Sequence, residues 1–200
     1  CKSIFAEILG VEAKNLIIFG NSSLNVMYDY VSQCMMFGAG AEPWCAQEGI
    51  KFLCPVPGYD RHFGILEHFG IEMINIPSDE NGPDMTMIEE LVKDEKVKGI
   101  ICVPMYSNPT GYTYSDETVR RFAALKPAAR DFRVIWDNAY CVHHIYDTHD
   151  SLMNIFEAAA AQTQCMIQKA GFSIFSYITQ KLATTLVTSL LSILYLLCFA

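Results

Sequence analysis

The sequence lacks any pair of cysteines in a CxxC spacing, although it contains eight cysteines. They are scattered over positions 1, 34, 45, 54, 102, 141, 165 and 198 of a 200-residue chain. This distribution predicts neither a paired-cysteine zinc site nor the disulfide framework of a small secreted domain. We therefore expect reduced thiols and a cytoplasmic protein.

Basic residues are scarce as well. The chain has 14 lysines and arginines against 22 acidic residues, a formal net charge of −8, and no basic stripe. Nucleic-acid binding draws much of its affinity from counterion release at clustered positive charge, so nucleic acid is not expected as a partner. The nucleotide-binding motif GxGxxG and the P-loop are also absent, which leaves a flavodoxin-like or other doubly wound nucleotide binder as an alternative that no motif supports.

Acidic residues are missing from the last part of the chain. None follows Glu157, and from Ala158 onward Lys169 and Lys181 are the only charged residues. The uncharged stretch 182–200 is about as long as a minimal membrane span of roughly 17–20 residues. It could be an apolar tail that does not belong to the fold, a membrane anchor or a buried core helix. We favour the first hypothesis, which leaves membrane contact by residues 182–200 as a less favoured alternative.

What the sequence does contain is a regular alternation of apolar runs and amphipathic segments. Runs typical of buried strands occupy residues 15–20, 50–57, 71–77, 99–105 and 133–140, and segments with helical periodicity occupy 22–36, 61–70, 84–95 and 115–128. The alternation predicts an α/β fold with a mostly parallel sheet and helices on both faces. In such sheets ligands bind beyond the carboxyl ends of the strands.

Polar residues follow the first of these strands. Gly20, Asn21, Ser22 and Ser23 lie between the strand at 15–20 and the helix after it. Backbone N–H groups and serine hydroxyls at the start of a helix can hold a phosphate group. The alternative is an ordinary N-cap that satisfies the first helical turn.

Two later strand ends carry unusual polar residues too. Asn108 lies in a turn set by Pro109 and Gly111, where its amide could donate to a ligand oxygen or simply complete an Asn-Pro turn. Asp137 lies near the end of the strand at 133–140, three residues before Tyr140. A carboxylate at the tip of a buried strand is unfavourable unless a cation pairs with it. A protonated pyridine nitrogen would serve, and a helix cap or structural ion pair is the alternative.

The order of these strand ends, with the pieces SNPTGYTYS and WDNAYCVHHIYD, resembles a known family. Over residues 1–157 the sequence is similar to the large domain of class I/II, fold-type I, pyridoxal-phosphate-dependent aminotransferases, and most similar to their MocR-like aspartate or alanine–glyoxylate branch. The resemblance implies pyridoxal 5′-phosphate as the cofactor. It also implies an amino acid donor, a 2-oxo acid acceptor and a homodimer.

The resemblance places eight residues around that cofactor: Gly20, Asn21, Ser22, Ser23, Tyr59, Asn108, Asp137 and Tyr140. By this resemblance the first four contact its phosphate, and Tyr59 stacks on its pyridine ring. Asn108 and Tyr140 bond the 3′-oxygen of the ring. Asp137 keeps the ring nitrogen protonated, which lets the ring act as an electron sink.

The family's chemistry also needs a lysine, which forms a Schiff base with the cofactor and then moves a proton. In the family this lysine follows an S-x-S-K pattern that the present sequence lacks. Lys181 and Lys169 are the candidates, and the catalytic residue is otherwise unknown. The arginine that would add to the phosphate site is missing too, because Arg133 is the last arginine in the chain. A catalytically inactive fragment, or a cofactor binder without the lysine, is therefore the alternative function.

These observations divide the chain into a partial large domain at 1–157 and an atypical apolar tail at 158–200, which we expect not to be native to the fold. The chain begins with Cys1, and residues 1–15 look like the middle of an amphipathic helix. We therefore expect the chain to start inside a longer protein.

Two further groups of polar residues have simpler explanations. The first group contains possible metal ligands: His143, His144, Asp147, His149 and Asp150. Imidazole and carboxylate suit zinc or iron, but adjacent histidines on a strand or turn point in different directions, so we expect no metal site. The second group, residues 60–62, follows Tyr59 and is interpreted as a solvated loop, with the substrate mouth as the alternative.

Overall fold

The structure, a computed structural model, describes residues 2–19, 22–160, 172–177 and 195–199. The helices in these ranges are α1 (Lys2–Leu9), α2 (Ser23–Phe37), α3 (Asp60–His68), α4 (Met85–Leu91), α5 (Asp116–Ala124) and α6 (Ile155–Ala160). The strands are β1 (Leu16–Phe19), β2 (Lys51–Val56), β3 (Glu72–Asp79), β4 (Gly82–Pro83), β5 (Val97–Cys102), β6 (Arg133–Asp137), β7 (Phe172–Tyr177) and β8 (Tyr195–Phe199).

All of these strands belong to one sheet, in the order β1-β8-β7-β6-β5-β2-β3-β4. The central pairs β3/β2, β2/β5, β5/β6 and β6/β7 are parallel. Towards the two edges the pairs β7/β8, β8/β1 and β3/β4 are antiparallel. The predicted α/β fold with a mostly parallel sheet is therefore confirmed.

The central strands are buried on both faces, as near-continuous apolar strands in a parallel sheet require. Leu53 and Ile100 point into one apolar cluster, which includes residues of α4, α5 and α6. Phe52, Ile101 and Ile135 point into a second cluster, which includes residues of α2 and α3. Side chains alternate between the two faces of a strand, so each strand contributes to both clusters.

Each strand and helix predicted from the alternation is present, with its ends displaced by a few residues. Two of the differences concern the segment 84–98, where α4 ends at Leu91 and β5 begins at Val97. Lys98 therefore lies inside a strand although its charge argues for a solvated position. The side chain is 7% exposed because it has a buried partner, Asp131, whose side chain is 2% exposed.

This partner makes Lys98 part of a buried polar network. The Nζ atom of Lys98 donates to Oδ1 of Asp131 at 2.9 Å. The second carboxylate oxygen, Oδ2, accepts from Trp44 Nε1 at 3.0 Å and from Gln47 Nε2 at 3.1 Å. Burial alone would raise the pKa of Asp131, but the hydrogen bonds from Lys98 and Gln47, with the Lys98 charge, lower it. The network thus keeps a carboxylate ionised inside the fold.

Two strands of the sheet come from the predicted tail at 158–200. β7 pairs in parallel with β6, and β8 lies between β7 and β1. Residues 195–199 of the uncharged stretch are thus a strand and not part of a core helix, while residues 182–194 and 200 lie outside the described residues. Among the helices that the structure describes, none is long and apolar enough to cross a membrane. The division of the chain at residue 157 stays a prediction.

Candidate functional site

The carboxyl ends of β5 and β6 and the first turn of α2 meet at a cavity of about 220 Å³. Six residues predicted from the sequence line this cavity, which we call the site cavity: Ser22, Ser23, Tyr59, Asn108, Asp137 and Tyr140. The remaining predicted residues, Gly20, Asn21, Lys169 and Lys181, lie outside the described residues. The fold thus brings together side chains that are more than a hundred positions apart in the sequence, such as those of Ser22 and Tyr140. The role of each side chain stays a prediction.

The site cavity is large enough for a small aromatic ligand. A cavity of roughly 150 Å³ inside a protein is sufficient to bind benzene, and the site cavity measures about 220 Å³. A six-membered ring with small substituents can therefore enter it. Its lining combines apolar side chains such as Leu24 and Val103 with hydroxyl, amide and carboxylate groups, as in most small-molecule sites.

Asp137 is the charged group of this site. It is the last residue of β6 and is 4% exposed. One carboxylate oxygen, Oδ2, accepts a hydrogen bond from Nε2 of His62 at 3.0 Å. The other, Oδ1, is buried and has no hydrogen-bond partner among the described residues. A buried acceptor without a partner is unfavourable, so the site is complementary to a ligand with an N–H or O–H donor.

His62 was not predicted as part of this site, and the prediction of a solvated loop at 60–62 is wrong. Asp60 begins helix α3, and His62 in its first turn is 2% exposed. The ring of Tyr59 meets the ring of His62 edge to face, with centroids 5.0 Å apart. The helix start turns His62 inward because an apolar helix face must pack against the sheet. The spacing of Tyr59 and His62, three residues apart as on one side of a helix, was a usable signal.

Asn108 and Tyr140 face each other from two loops, one after β5 and one after β6. The Nδ2 atom of Asn108 donates to the hydroxyl oxygen of Tyr140 at 3.4 Å, which is long for a hydrogen bond of this type. Asn108 is held by a tight turn in which the N–H of Gly111 donates to the carbonyl oxygen of Ser107. Gly111 has φ +75°, a conformation that side chains other than glycine's rarely adopt. The turn predicted from the Asn-Pro sequence is therefore present.

Ser22 is the N-cap of α2. Its hydroxyl oxygen accepts from the backbone N–H of Asn25 at 3.3 Å, so the capping alternative is confirmed. Capping uses one of the unpaired N–H groups of the first helical turn and leaves others for a ligand. The phosphate contact predicted for Ser22 and Ser23 is compatible with the cap and stays a prediction.

The histidines beyond β6 form a ring cluster beside the site cavity. His144 and His149 stack at 3.6 Å with an angle of 10° between their rings. His144 Nδ1 is hydrogen bonded to the hydroxyl of Tyr106 at 2.8 Å. Within the described ranges no group of three or more histidine, cysteine, aspartate or glutamate side chains is arranged to hold a metal ion.

Comparison with known proteins gives consistent results. A family model described as aspartate amino-transferase matches residues 1–181. The aspartate aminotransferase of Corynebacterium glutamicum is 47% identical over 156 residues, which are 77% of this chain and 36% of that protein. The crystal structure of an aspartate transaminase from Corynebacterium glutamicum has a TM-score of 0.86 and 40% identity, and the match covers 100% of this chain and 45% of that one.

A more distant structure has the same fold. The α-aminoadipate aminotransferase of Thermus thermophilus, solved in complex with N-(5′-phosphopyridoxyl)-L-leucine, has a TM-score of 0.70 and 20% identity, covering 98% of this chain and 44% of that one. The chain spans little more than a third of the length of the curated relatives, 36% and 38% for two of them. The MocR-like branch inferred from the sequence stays a prediction.

Proposed function

The chain belongs to the aspartate amino-transferase family, and from this premise we propose that its site cavity binds pyridoxal 5′-phosphate as part of an aminotransferase. The bound cofactor would supply an electron sink for reactions at the α-carbon of an amino acid. The substrates would be an amino acid donor and a 2-oxo acid acceptor. The protein would act in the cytoplasm as a homodimer, as the resemblance of the sequence implies.

The observation that carries this proposal is the unpaired oxygen of Asp137. Oδ1 is buried and lacks a partner among the described residues, while Oδ2 is held by His62 at 3.0 Å. A protonated pyridine nitrogen is a cationic N–H donor that would satisfy Oδ1 and the carboxylate charge together. His62 would fix the orientation of the carboxylate, so the free oxygen keeps one direction.

The other lining residues fit the remaining groups of the cofactor. Ser22 and Ser23 lie at the N-terminus of α2, where hydroxyls, N–H groups and the helix dipole favour a phosphate. The ring of Tyr59 offers an aromatic face for stacking. Asn108 and Tyr140 both carry hydrogen-bond donors. The hydrogen bond between them, at 3.4 Å, is weak enough to be replaced by bonds to a phenolic oxygen.

Lys181 or Lys169 would supply the amine that holds the cofactor covalently. The alternative function is a cofactor binder or fragment without catalytic activity. It is favoured by the absence of the S-x-S-K pattern from this sequence. The two functions share the cavity and differ only in the covalent step.

A titration with pyridoxal 5′-phosphate tests the binding step. We would follow the absorbance of the cofactor with the wild-type chain, with Asp137→Asn and with Asp147→Asn. The last is a matched control, because Asp147 is exposed and does not line the site cavity. A hydrogen bond to a charged group contributes about 1.5–3 kcal/mol, so its loss in Asp137→Asn should weaken binding about 10- to 100-fold. Asp147→Asn should keep the wild-type affinity. Equal affinity in all three proteins would overturn the proposed site.

Borohydride reduction and peptide mass mapping then separate the two functions. A reduced adduct on Lys181 or Lys169 would support the aminotransferase, and transfer from a panel of amino acids to 2-oxoglutarate could be measured. Saturable binding without an adduct would support the non-catalytic alternative.

A further inference from the structure

Two loops carry the pair Asn108 and Tyr140. The first, which we call the β5 loop, runs from residue 103 to residue 115, between β5 and α5. The second, the β6 loop, runs from residue 138 to residue 154, between β6 and α6. β5 and β6 are neighbours in the sheet, so both loops leave it at the same edge. Their separation decides whether Asn108 and Tyr140 reach one ligand atom.

A second side-chain bond joins the same two loops outside the site cavity. The hydroxyl of Tyr106 and Nδ1 of His144 lie 2.8 Å apart, the usual length of a strong neutral hydrogen bond. Neither residue lines the site cavity. Partial burial, together with the charge of Asp150, raises the pKa of the Tyr106 hydroxyl. With its proton on Nε2, a neutral His144 accepts this bond.

The ring of His144 is itself held in place. His149 stacks on it at 3.6 Å, and Nδ1 of His149 is within 2.9 Å of the carbonyl oxygen of Asp150. The orientation of His144 is therefore set by the far end of the β6 loop. At the near end, the N–H of His143 donates to the carbonyl oxygen of Tyr140 at 2.8 Å. The position of His144 is thus transmitted to Tyr140 through one turn of backbone.

We propose that Tyr106 and His144 form a clamp between the two loops, which sets the position of Asn108 relative to Tyr140 and so prepares the site for its ligand. This inference rests on the proposed function for the identity of that ligand, pyridoxal 5′-phosphate. The contact between Asn108 and Tyr140 measures 3.4 Å and is too weak to fix the loops itself. The clamp, with its 2.8 Å bond, is the stronger of the two links. Tyr106 and His144 are positioning residues, since they act on the ligand only through Asn108 and Tyr140.

Tyr106→Phe removes the hydroxyl and keeps the ring. Tyr112→Phe is the matched control, because Tyr112 lies in the same loop, is 45% exposed and has no side-chain bond to the β6 loop among the described contacts. His144→Leu removes the acceptor, whereas His144→Asn places an amide oxygen close to the position of Nδ1 and should restore the clamp. The wild-type chain and all four variants would be compared.

The first readout needs no cofactor. Amide hydrogen exchange of both loops is expected to be about two- to tenfold faster in Tyr106→Phe and His144→Leu, since a neutral hydrogen bond contributes that much to a local opening equilibrium. Tyr112→Phe and His144→Asn should match the wild type. Exchange in the helices α2 and α5, measured at the same time, detects a general loss of stability. Equal exchange of the two loops in all proteins, or faster exchange everywhere, would overturn the clamp.

The second readout is the dissociation constant of pyridoxal 5′-phosphate. It should rise by about two- to tenfold in Tyr106→Phe and His144→Leu, and stay at the wild-type value in His144→Asn and Tyr112→Phe. If the wild-type chain does not bind pyridoxal 5′-phosphate, the proposed function fails while hydrogen exchange still decides whether the clamp exists. If the loops exchange faster and the affinity is unchanged, the clamp has no positioning role and the inference is wrong.

Discussion

Replacing Lys98 with methionine would leave the carboxylate of Asp131 buried without its cation. The two side chains are 7% and 2% exposed, and the carboxylate would keep neutral donors alone, which include Trp44, Gln47 and a backbone N–H. Removing one partner of a buried ion pair costs about 3–5 kcal/mol of unfolding free energy. We expect a loss of this size at pH 7.

The pH dependence of this loss follows from the pKa of Asp131. In the wild type burial raises that pKa, but the bonds from Lys98 and Gln47 and the Lys98 charge lower it overall. The stabilisation by Asp131 is then complete above its unfolded pKa of about 3.9 and is lost as the pH falls through the lower folded value. Without Lys98, the effect of burial on the pKa of Asp131 dominates and raises it, so the carboxyl group can be buried in its protonated, uncharged form. The difference between Lys98→Met and wild type should therefore shrink as the pH falls from 7 towards 4.

Urea unfolding followed by tryptophan fluorescence measures both effects, since Trp44 and Trp136 are each 1% exposed. Lys93→Met is the matched control. Lys93 pairs with Glu90, and their side chains are 66% and 74% exposed, so this change should stay within about 0.5 kcal/mol. The double change Lys98→Met with Asp131→Leu should recover most of the loss, because an apolar pair can replace a buried ion pair. A loss below about 1 kcal/mol for Lys98→Met, or a larger loss at low pH, would refute the reasoning.

Three further predictions concern the site and the thiols. Tyr140→Phe should weaken pyridoxal 5′-phosphate binding by about two- to tenfold, the effect of one neutral hydrogen bond, as measured by absorbance titration. Ser22→Ala and Ser115→Ala each remove a helix N-cap, so each should lower the free energy of unfolding, measured in urea, by about 1 kcal/mol. Only Ser22→Ala should also weaken cofactor binding. Equal cofactor affinities of the two variants would contradict the phosphate contact. Burial raises the pKa of the Cys54 thiol to about 12, so a thiol reagent should label the exposed Cys45 before Cys54, as measured by peptide mass mapping. Rapid labelling of Cys54 in the folded chain would contradict this.

Local patterns in the sequence were sufficient for the architecture, whereas the set of candidate site residues came from the family resemblance. Apolar runs separated by amphipathic segments predict a parallel sheet, because a strand that helices cover on both faces needs apolar side chains at nearly every position. Polar residues at strand ends could be recognised for a related reason. Because ligands bind beyond the carboxyl ends of parallel strands, Asn108 and Asp137 could be singled out. The family resemblance then implied that they lie with Tyr140 around one ligand, and all three line the same cavity.

Other features were decided only by tertiary structure. His62 and Asp137 are 75 residues apart in the sequence, Tyr106 and His144 are 38 apart, and Lys98 and Asp131 are 33 apart. Helical spacing can place a histidine on the inward side of a helix, but no local pattern identifies the distant partner that a buried histidine or lysine requires. Apolar burial depends on residue type and periodicity, which a sequence contains, whereas polar pairing depends on direction and distance within about 3 Å. Those two quantities exist only after the chain has folded.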